Sequence, residues 1–197
     1  DLSQEAFVKA WKALRNLRRS WLSREVALFG AYGAVAAAAV VVPAAAGAAI
    51  AAGVAGVYAS GRLYVVPGRP AWHTWLTIVR FFATCLAIGP LLTGHPAWAV
   101  AGIGLQLAAT AANLVRLRRD PRIEWWGAAR LTLHWFRIPF VGAVIGWLVG
   151  AWLAYAGLPL LALAPVLAAE LTGRYLFYVT VVPLDMPGSF ARSAKRH

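Results

Sequence analysis

Four ionisable side chains lie within or at the edge of long apolar stretches of the sequence. Glu25 opens the first stretch. If that stretch crosses a bilayer, its carboxylate lies near water and lipid headgroups and can take up or release protons. Arg80, Glu170 and Arg174 lie deeper, where a charge costs about 2.5–3.5 kcal/mol on insertion scales, so such residues are usually paired or functional. Glu170 and Arg174 are four residues apart, so they share a helix face and can pair there.

The deep charges have two interpretations. Arg80 needs an acidic partner, and Glu170 is the only carboxylate well inside the apolar stretches. We interpret Arg80, Glu170 and Arg174 as structural intramembrane charges that hold helices together. A functional role for them is the alternative.

The sequence gives little support for a haem, metal, phosphate-binding or nucleophilic site. His73, His95 and His134 fall at the ends of predicted helices, so no facing pair of haem ligands is expected. A single cysteine, Cys85, excludes a disulfide framework and an iron–sulfur cluster held by this chain alone. Metal-ligand spacings, phosphate-binding glycine loops and serine-nucleophile motifs are absent from the sequence.

The composition is that of a membrane protein. Of the 197 residues 61% are hydrophobic and 13% charged, with a mean hydropathy of +0.65, which excludes both an ordinary soluble domain and a disordered chain. The net charge is +12, but the cations lie between apolar runs. That placement favours contact with anionic membrane lipids over binding to nucleic acid.

Six apolar runs are long enough to cross a bilayer, which takes roughly 20 residues. The sequence therefore predicts an all-α membrane protein with six transmembrane helices over 25–42, 44–63, 73–92, 97–117, 139–156 and 158–183. Pro43 separates the first two; one continuous helix is the alternative there. The six-helix bundle is expected to occupy residues 25–185, followed by a basic C-terminal tail over 186–197.

Residues 1–24 form a basic amphipathic segment. Aromatic and leucine side chains recur in it at helical spacing among five lysines and arginines before residue 20, which predicts an interfacial helix on the membrane surface. An amphipathic helix packed on a protein partner is the alternative.

The cations also indicate an orientation. Apart from Arg80 and Arg174, all of the 19 Lys and Arg residues fall in the termini or in the connections around 62–72 and 116–138, which six spans place on one side. Positive charge in short connections marks the cytoplasmic side, so this side and both ends of the sequence are expected to be cytoplasmic.

Three strings resemble the DMSO reductase membrane anchor family. They are WLSRE at 21–25, preceded by the basic AWKALRNLRRS; RLYVVPGRPAW at 62–72; and ELTGR at 170–174, followed by LFY at 176–178. They occur in the order and spacing of that family, so the resemblance covers essentially the whole sequence.

The resemblance implies an eight-helix, haem-free anchor in the cytoplasmic (inner) membrane of a prokaryote. Such anchors hold a four-cluster iron–sulfur subunit and a molybdopterin catalytic subunit, and exchange electrons with menaquinone or ubiquinone. Glu25 matches the family's functional glutamate. The family's histidine would fall at or before residue 1, where none is found, so that histidine and two further helices are expected upstream.

The expected quinone site combines Glu25, as the proton-carrying group, with Arg19, Trp21 or His134 to orient the ring. A cytoplasmic catalytic arm, as in the related membrane-bound sulfite dehydrogenases, favours quinone reduction. The alternatives are a quinol-oxidising anchor of a DMSO, S-oxide or N-oxide reductase, an anchor without quinone contact, and a multi-pass transporter. The last is disfavoured because the helices show no convincing inverted repeat.

Overall fold

The fold is all-helical. A computed structural model describes residues 21–184, which form seven α-helices and, within that range, no strand. Six of these helices are long and apolar enough to cross a membrane, which confirms the prediction of a multi-pass, all-α membrane protein with six spans. Residues 1–20, most of the predicted interfacial segment (1–24), lie outside the described residues. The basic tail predicted for 186–197 lies outside them as well.

The described residues divide into two compact units, 21–63 and 64–184, which are treated separately. The first contains α1 (Trp21–Val41), a 3-10 turn (Pro43–Ala45) and α2 (Ala46–Leu63). The second contains α3 (Trp75–Leu92), α4 (Pro96–Arg119), α5 (Ile123–Arg130), α6 (Arg137–Tyr155) and α7 (Pro159–Val179). The six spans agree with the predicted ones to within about four residues. The largest differences are at two helix ends. Helix α1 begins at Trp21 and not at the predicted residue 25, so residues 21–24 belong to the same helix as Glu25, and α7 ends at Val179 and not at the predicted residue 183.

The first unit is a helical hairpin. Its helices separate at Val42, whose extended backbone (φ −120°, ψ 92°) precedes Pro43, so the predicted break is confirmed. Glycines of α2 then let the two helices approach closely. A Cβ on Gly56 would lie 3.3 Å from the Phe29 ring of α1. Small residues at such contacts are typical of helix packing in lipid.

The second unit contains two more hairpins, α3–α4 and α6–α7, joined by contacts of α4 with α6 and of α3 with α7. The tight turns contain Gly94 (φ +73°) and Gly157 (φ +80°), left-handed conformations that glycine adopts without steric cost. Ile103, Trp147 and Val166 are among the side chains fully buried between these helices.

Backbones of α3 and α4 meet at Gly102. A Cβ on Gly102 would overlap the backbone of Leu86 and Ala87 in α3. Pro90, four residues after Leu86, lies inside α3 and has no N–H to bond the Leu86 carbonyl. The glycine of α4 therefore packs directly on the part of α3 whose helical hydrogen bond is missing.

We expect Gly102→Ala to destabilise the protein by about 1–3 kcal/mol, because the added methyl group overpacks a backbone contact. Gly104→Ala is the matched control, since a Cβ there has nothing within 4 Å. In the same helix, alanine should be neutral or slightly stabilising at Gly104. Unfolding of both variants in detergent, followed by circular dichroism, measures the difference. Equal stabilities would contradict the close approach of α3 and α4.

The connection between α4 and α6 is more ordered than the sequence indicated. It contains the eight-residue α5 and a π-helical turn, Leu131–Trp135, that leads into α6. Ala128 and Ala129 of α5 are buried, and so is Glu124. The periodicity of so short a helix is weak, which is why the sequence did not reveal it.

Candidate functional site

Glu25 lies near the start of α1 and contacts α2. The buried Ser60 hydroxyl donates a hydrogen bond to Glu25 Oε1, while the glutamate side chain itself remains partly exposed. A serine fits here because α2 is built from small residues that let α1 come close. The arrangement leaves Glu25 Oε2 without a hydrogen bond to Ser60.

Trp21, one helical turn before Glu25, is the centre of a basic and aromatic group. The guanidinium carbons of Arg24 and Arg62 lie 4.9 and 5.3 Å from its ring centroid, and Tyr58 meets it edge to face at 6.1 Å. Arg62 Nε is buried, and no residue between 21 and 184 forms a hydrogen bond with it. This end of the α1–α2 hairpin therefore carries both a carboxylate and a guanidinium N–H donor. We call Trp21, Glu25, Ser60 and Arg62 the hairpin site.

The other predicted quinone residues are placed differently. Arg19 lies outside the described residues. His134 is exposed, in the π-helical turn of the second unit, where it lines a surface cleft of about 320 Å³ with Arg118, Trp126 and Arg130. The structure thus brings Trp21 and Glu25 together within one unit, and His134 belongs to the other unit.

Glu170 is held by two neutral donors. Its Oε1 accepts from Trp147 Nε1 at 2.9 Å, and its Oε2 accepts from Thr84 Oγ1 at 2.7 Å. Arg174 Nη2 donates to the same threonine oxygen at 3.1 Å. Thr84 therefore bridges the glutamate of α7 and the arginine one turn further along.

The direct ion pairs expected inside the bundle are not formed. Among residues 21–184 the only ion pair joins Arg122 and Asp120, so neither Arg174 nor Arg80 pairs directly with Glu170. Instead, Thr84 Oγ1 lies between the two groups: it donates to Glu170 Oε2 and accepts from Arg174 Nη2, while Trp147 Nε1 donates to Glu170 Oε1. The predicted pairing of Glu170 with Arg174 is thus corrected to an indirect link through a hydroxyl group.

Aromatic rings cover the two deep cations. The guanidinium of Arg174 lies 3.8 Å from the centroid of Phe81, and that of Arg80 lies 5.6 Å from the centroid of Phe177. Trp72 stacks on Phe177 with centroids 5.0 Å apart, and its Nε1 donates to the Phe177 carbonyl at 2.8 Å. Cation–π contacts partly replace the carboxylates that these arginines lack.

Some arginines of the predicted basic side form hydrogen bonds that hold the segments between the helices in place. Arg116 Nη2 donates to the Pro70 carbonyl at 2.9 Å and so fastens the 62–72 connection to α4. Asp120 accepts two bonds from the Arg122 side chain, 2.8 and 2.6 Å long, which lower the pKa of Asp120 to about 2. Arg118, Arg119 and Arg130, by contrast, are exposed.

Several contributing residues could not be identified from the sequence. Arg62, counted from the sequence among the cations at the start of the 62–72 connection, lies in the last turn of α2, and its contact with the Trp21 ring was not predicted. Thr84 and Trp147 looked like ordinary residues of apolar helices. The only available signal was that Thr84 follows Arg80 by four residues and so shares its helix face.

The fold and these sites define a class: a multi-pass, all-helical membrane protein with charged groups among its spans. No protein family, curated protein or solved structure matches this chain. The resemblance to DMSO reductase anchors therefore remains a prediction made from the strings in the sequence.

Proposed function

We propose that this chain is the haem-free membrane anchor and quinone-reactive subunit of a molybdopterin and iron–sulfur oxidoreductase. The observation that carries the proposal is Glu25, held by Ser60 at the basic, aromatic end of the α1–α2 hairpin. The proposal includes the eight-helix bundle that the resemblance implies and the interfacial segment that the amphipathic spacing of residues 1–24 predicts.

The hairpin site fits the chemistry that a quinone requires. Reduction to the quinol takes up two electrons and two protons, and the electrons would come from the iron–sulfur subunit. Glu25 can pass a proton to a ring oxygen and can then be protonated again from water. The Arg62 guanidinium next to the Trp21 ring is a cationic hydrogen-bonding group suited to a carbonyl oxygen, and Trp21 supplies an apolar ring face. Arg19 and His134 are the other hydrogen-bond donors that the sequence offers for orienting the ring.

The proposed partners dock on the basic connections. Exposed Arg118, Arg119 and Arg130 offer positive charge to an acidic surface of a four-cluster iron–sulfur subunit, which in turn carries the molybdopterin subunit. Complementary charge of this kind mainly steers association and fixes the docking register.

The proposed location is the inner membrane of a prokaryote, with the basic connections and the C-terminus in the cytoplasm. A cytoplasmic catalytic arm favours oxidation of a small substrate coupled to quinone reduction, as in sulfite dehydrogenases. Electron flow in the opposite sense, as in a DMSO or N-oxide reductase, is the alternative.

We expect alkaline phosphatase fused after His197 to be inactive, and green fluorescent protein fused there to be fluorescent, because the former folds only outside the cytoplasm. A phosphatase fusion at the turn containing Gly157 is the control and should be active, since that turn lies at the other end of α7. The reverse pattern would overturn the orientation.

Copurification tests the function most directly. The tagged full-length chain, isolated from its native membranes, should bring two subunits together with iron and molybdenum, and a quinol analogue added to the complex should bind and be quenched in fluorescence. Isolation without either metal, or with haem, would contradict the proposal. Metal-bearing partners without analogue binding would leave an anchor that lacks the quinone site.

A further inference from the structure

The surface cleft that His134 lines lies between the end of α4 and helix α5. Arg118, in the last turn of α4, is one of its lining residues. The others recur every three or four residues, so they share one helical face that runs along α5 into the π-helical turn: Trp126, Ala129, Arg130, Leu133 and His134. We call this the His134 cleft. It belongs entirely to the second unit and shares no residue with the hairpin site.

The cationic groups of the His134 cleft are accessible. Arg118, Arg130 and His134 are all exposed, and each of them lines the cleft directly. The guanidinium carbon of Arg130 lies 5.1 Å from the centroid of the Trp126 ring, and this cation–π contact keeps the arginine beside the indole. A ligand in the cleft can therefore reach two guanidinium groups and an imidazole.

The positive charge of the cleft is not balanced by the described residues. No carboxylate between 21 and 184 lines it. Asp120, close to Arg118 in the chain, accepts two hydrogen bonds from the Arg122 side chain, and this is the only ion pair within that range. Arg118 and Arg130 therefore leave two positive charges for an anionic ligand.

The position of the cleft favours a lipid over a free ion or an acidic protein. Helix α4 is long and apolar enough to cross a membrane and ends at Arg119, so Arg118 lies at the depth of the lipid headgroups. The cleft also has apolar walls, formed by the exposed Trp126 ring and by Leu133. Trp135, next to His134 in the chain, is exposed as well. Exposed indole rings at the end of a span are typical of the membrane interface.

We propose that the His134 cleft binds the headgroup of a phospholipid with a net negative charge, of the phosphatidylglycerol type. Arg118 and Arg130 donate charge-assisted hydrogen bonds to the phosphate oxygens, and a ring N–H of His134 can donate another. The Trp126 ring packs on the glycerol and the first acyl carbons. With about 320 Å³ the cleft has room for one such headgroup. Basic pockets beside transmembrane helices recognise anionic lipids in this way.

This inference does not depend on the proposed quinone function. Arg119 lines a different cleft, with Asp120 and Pro121, and so remains available for the proposed docking of an iron–sulfur subunit. That subunit would meet the bound headgroup at Arg118 and Arg130.

Native mass spectrometry of the full-length protein tests the site. The protein is released from mixed micelles that contain phosphatidylglycerol and phosphatidylcholine in equal amounts, and we expect it to retain one phosphatidylglycerol in preference to phosphatidylcholine. Replacing both cations, by Arg118→Gln and Arg130→Gln, should weaken the apparent affinity for this lipid by about tenfold or more. Arg119→Gln is the matched control, because it removes the neighbouring exposed cation outside the cleft and should leave retention unchanged.

Equal retention of phosphatidylglycerol by the double variant and the unaltered protein would overturn the proposal, and so would equal retention of the two lipids. Displacement of the lipid by inorganic phosphate at the same concentration would assign the cleft to a free anion instead. If the double variant lost copurifying subunits but kept the lipid, the occupant would be an acidic protein. Circular dichroism checks that the double variant folds. If it does not, Trp126→Ala decides, since weaker retention supports the proposal and unchanged retention refutes it.

Discussion

Glu25→Gln should abolish quinone-dependent turnover of the assembled complex while leaving its assembly intact. Glutamine keeps the shape of the side chain and can still accept the Ser60 hydrogen bond, but it cannot carry a proton. Proton transfer by a positioned group is worth about 10²–10⁴-fold in rate. We therefore expect a loss of at least about 100-fold, measured as reduction of a soluble quinone by the purified complex.

Two further variants make the Glu25 result specific. Ser60→Ala removes the hydrogen bond but keeps the carboxylate, so turnover should fall only partly. Glu124→Gln changes a carboxylate of the second unit and should leave turnover unchanged. Electron transfer from the substrate to an artificial acceptor should stay normal in all three. Normal quinone turnover in Glu25→Gln would remove this residue from the mechanism.

Glu170→Leu should cause the largest loss of stability of any substitution considered. It removes the acceptor of both Trp147 Nε1 and Thr84 Oγ1 and leaves Arg80 and Arg174 without a carboxylate among them. Removing one partner of a buried charged group costs about 3–5 kcal/mol. Unfolding of the purified protein by denaturant in mixed micelles measures the change.

Two further variants distinguish the contribution of the Glu170 hydrogen bonds to stability from that of helix packing. Glu170→Gln keeps one acceptor oxygen and should lie between Glu170→Leu and the unaltered protein. Leu171→Ala is the matched control, because that side chain is 71% exposed and should change stability by no more than about 0.5 kcal/mol. A fully stable Glu170→Leu would show that the network does not hold α3, α6 and α7 together.

The spans could be predicted because they depend on one strong physical requirement, namely the length of apolar chain needed to cross a bilayer. The break at Pro43 was equally predictable, since proline lacks the N–H that a continuous helix needs. The helix α5 was missed because eight residues carry too little periodicity to distinguish a short helix from a connection.

The contacts of the deep charges could not be predicted in the same way. The spacing of Glu170 and Arg174 correctly placed them on one helix, but a competing donor on another helix decided how they interact. Spacing within one helix carries no information about Thr84 or Trp147, which reach Glu170 from α3 and α6. The contact of Arg62 could not be predicted for a related reason, since it depends on the Trp21 ring of the preceding helix.

The contact of Gly102 with α3 near Pro90 also restricts motion. Because the α4 backbone lies directly on Leu86 and Ala87, sliding either helix along its axis would drive a side-chain carbon into main-chain atoms. Helices α3 and α4 should therefore move together as one rigid body. Any rearrangement within the second unit would then have to move α3 and α4 together against α6 and α7.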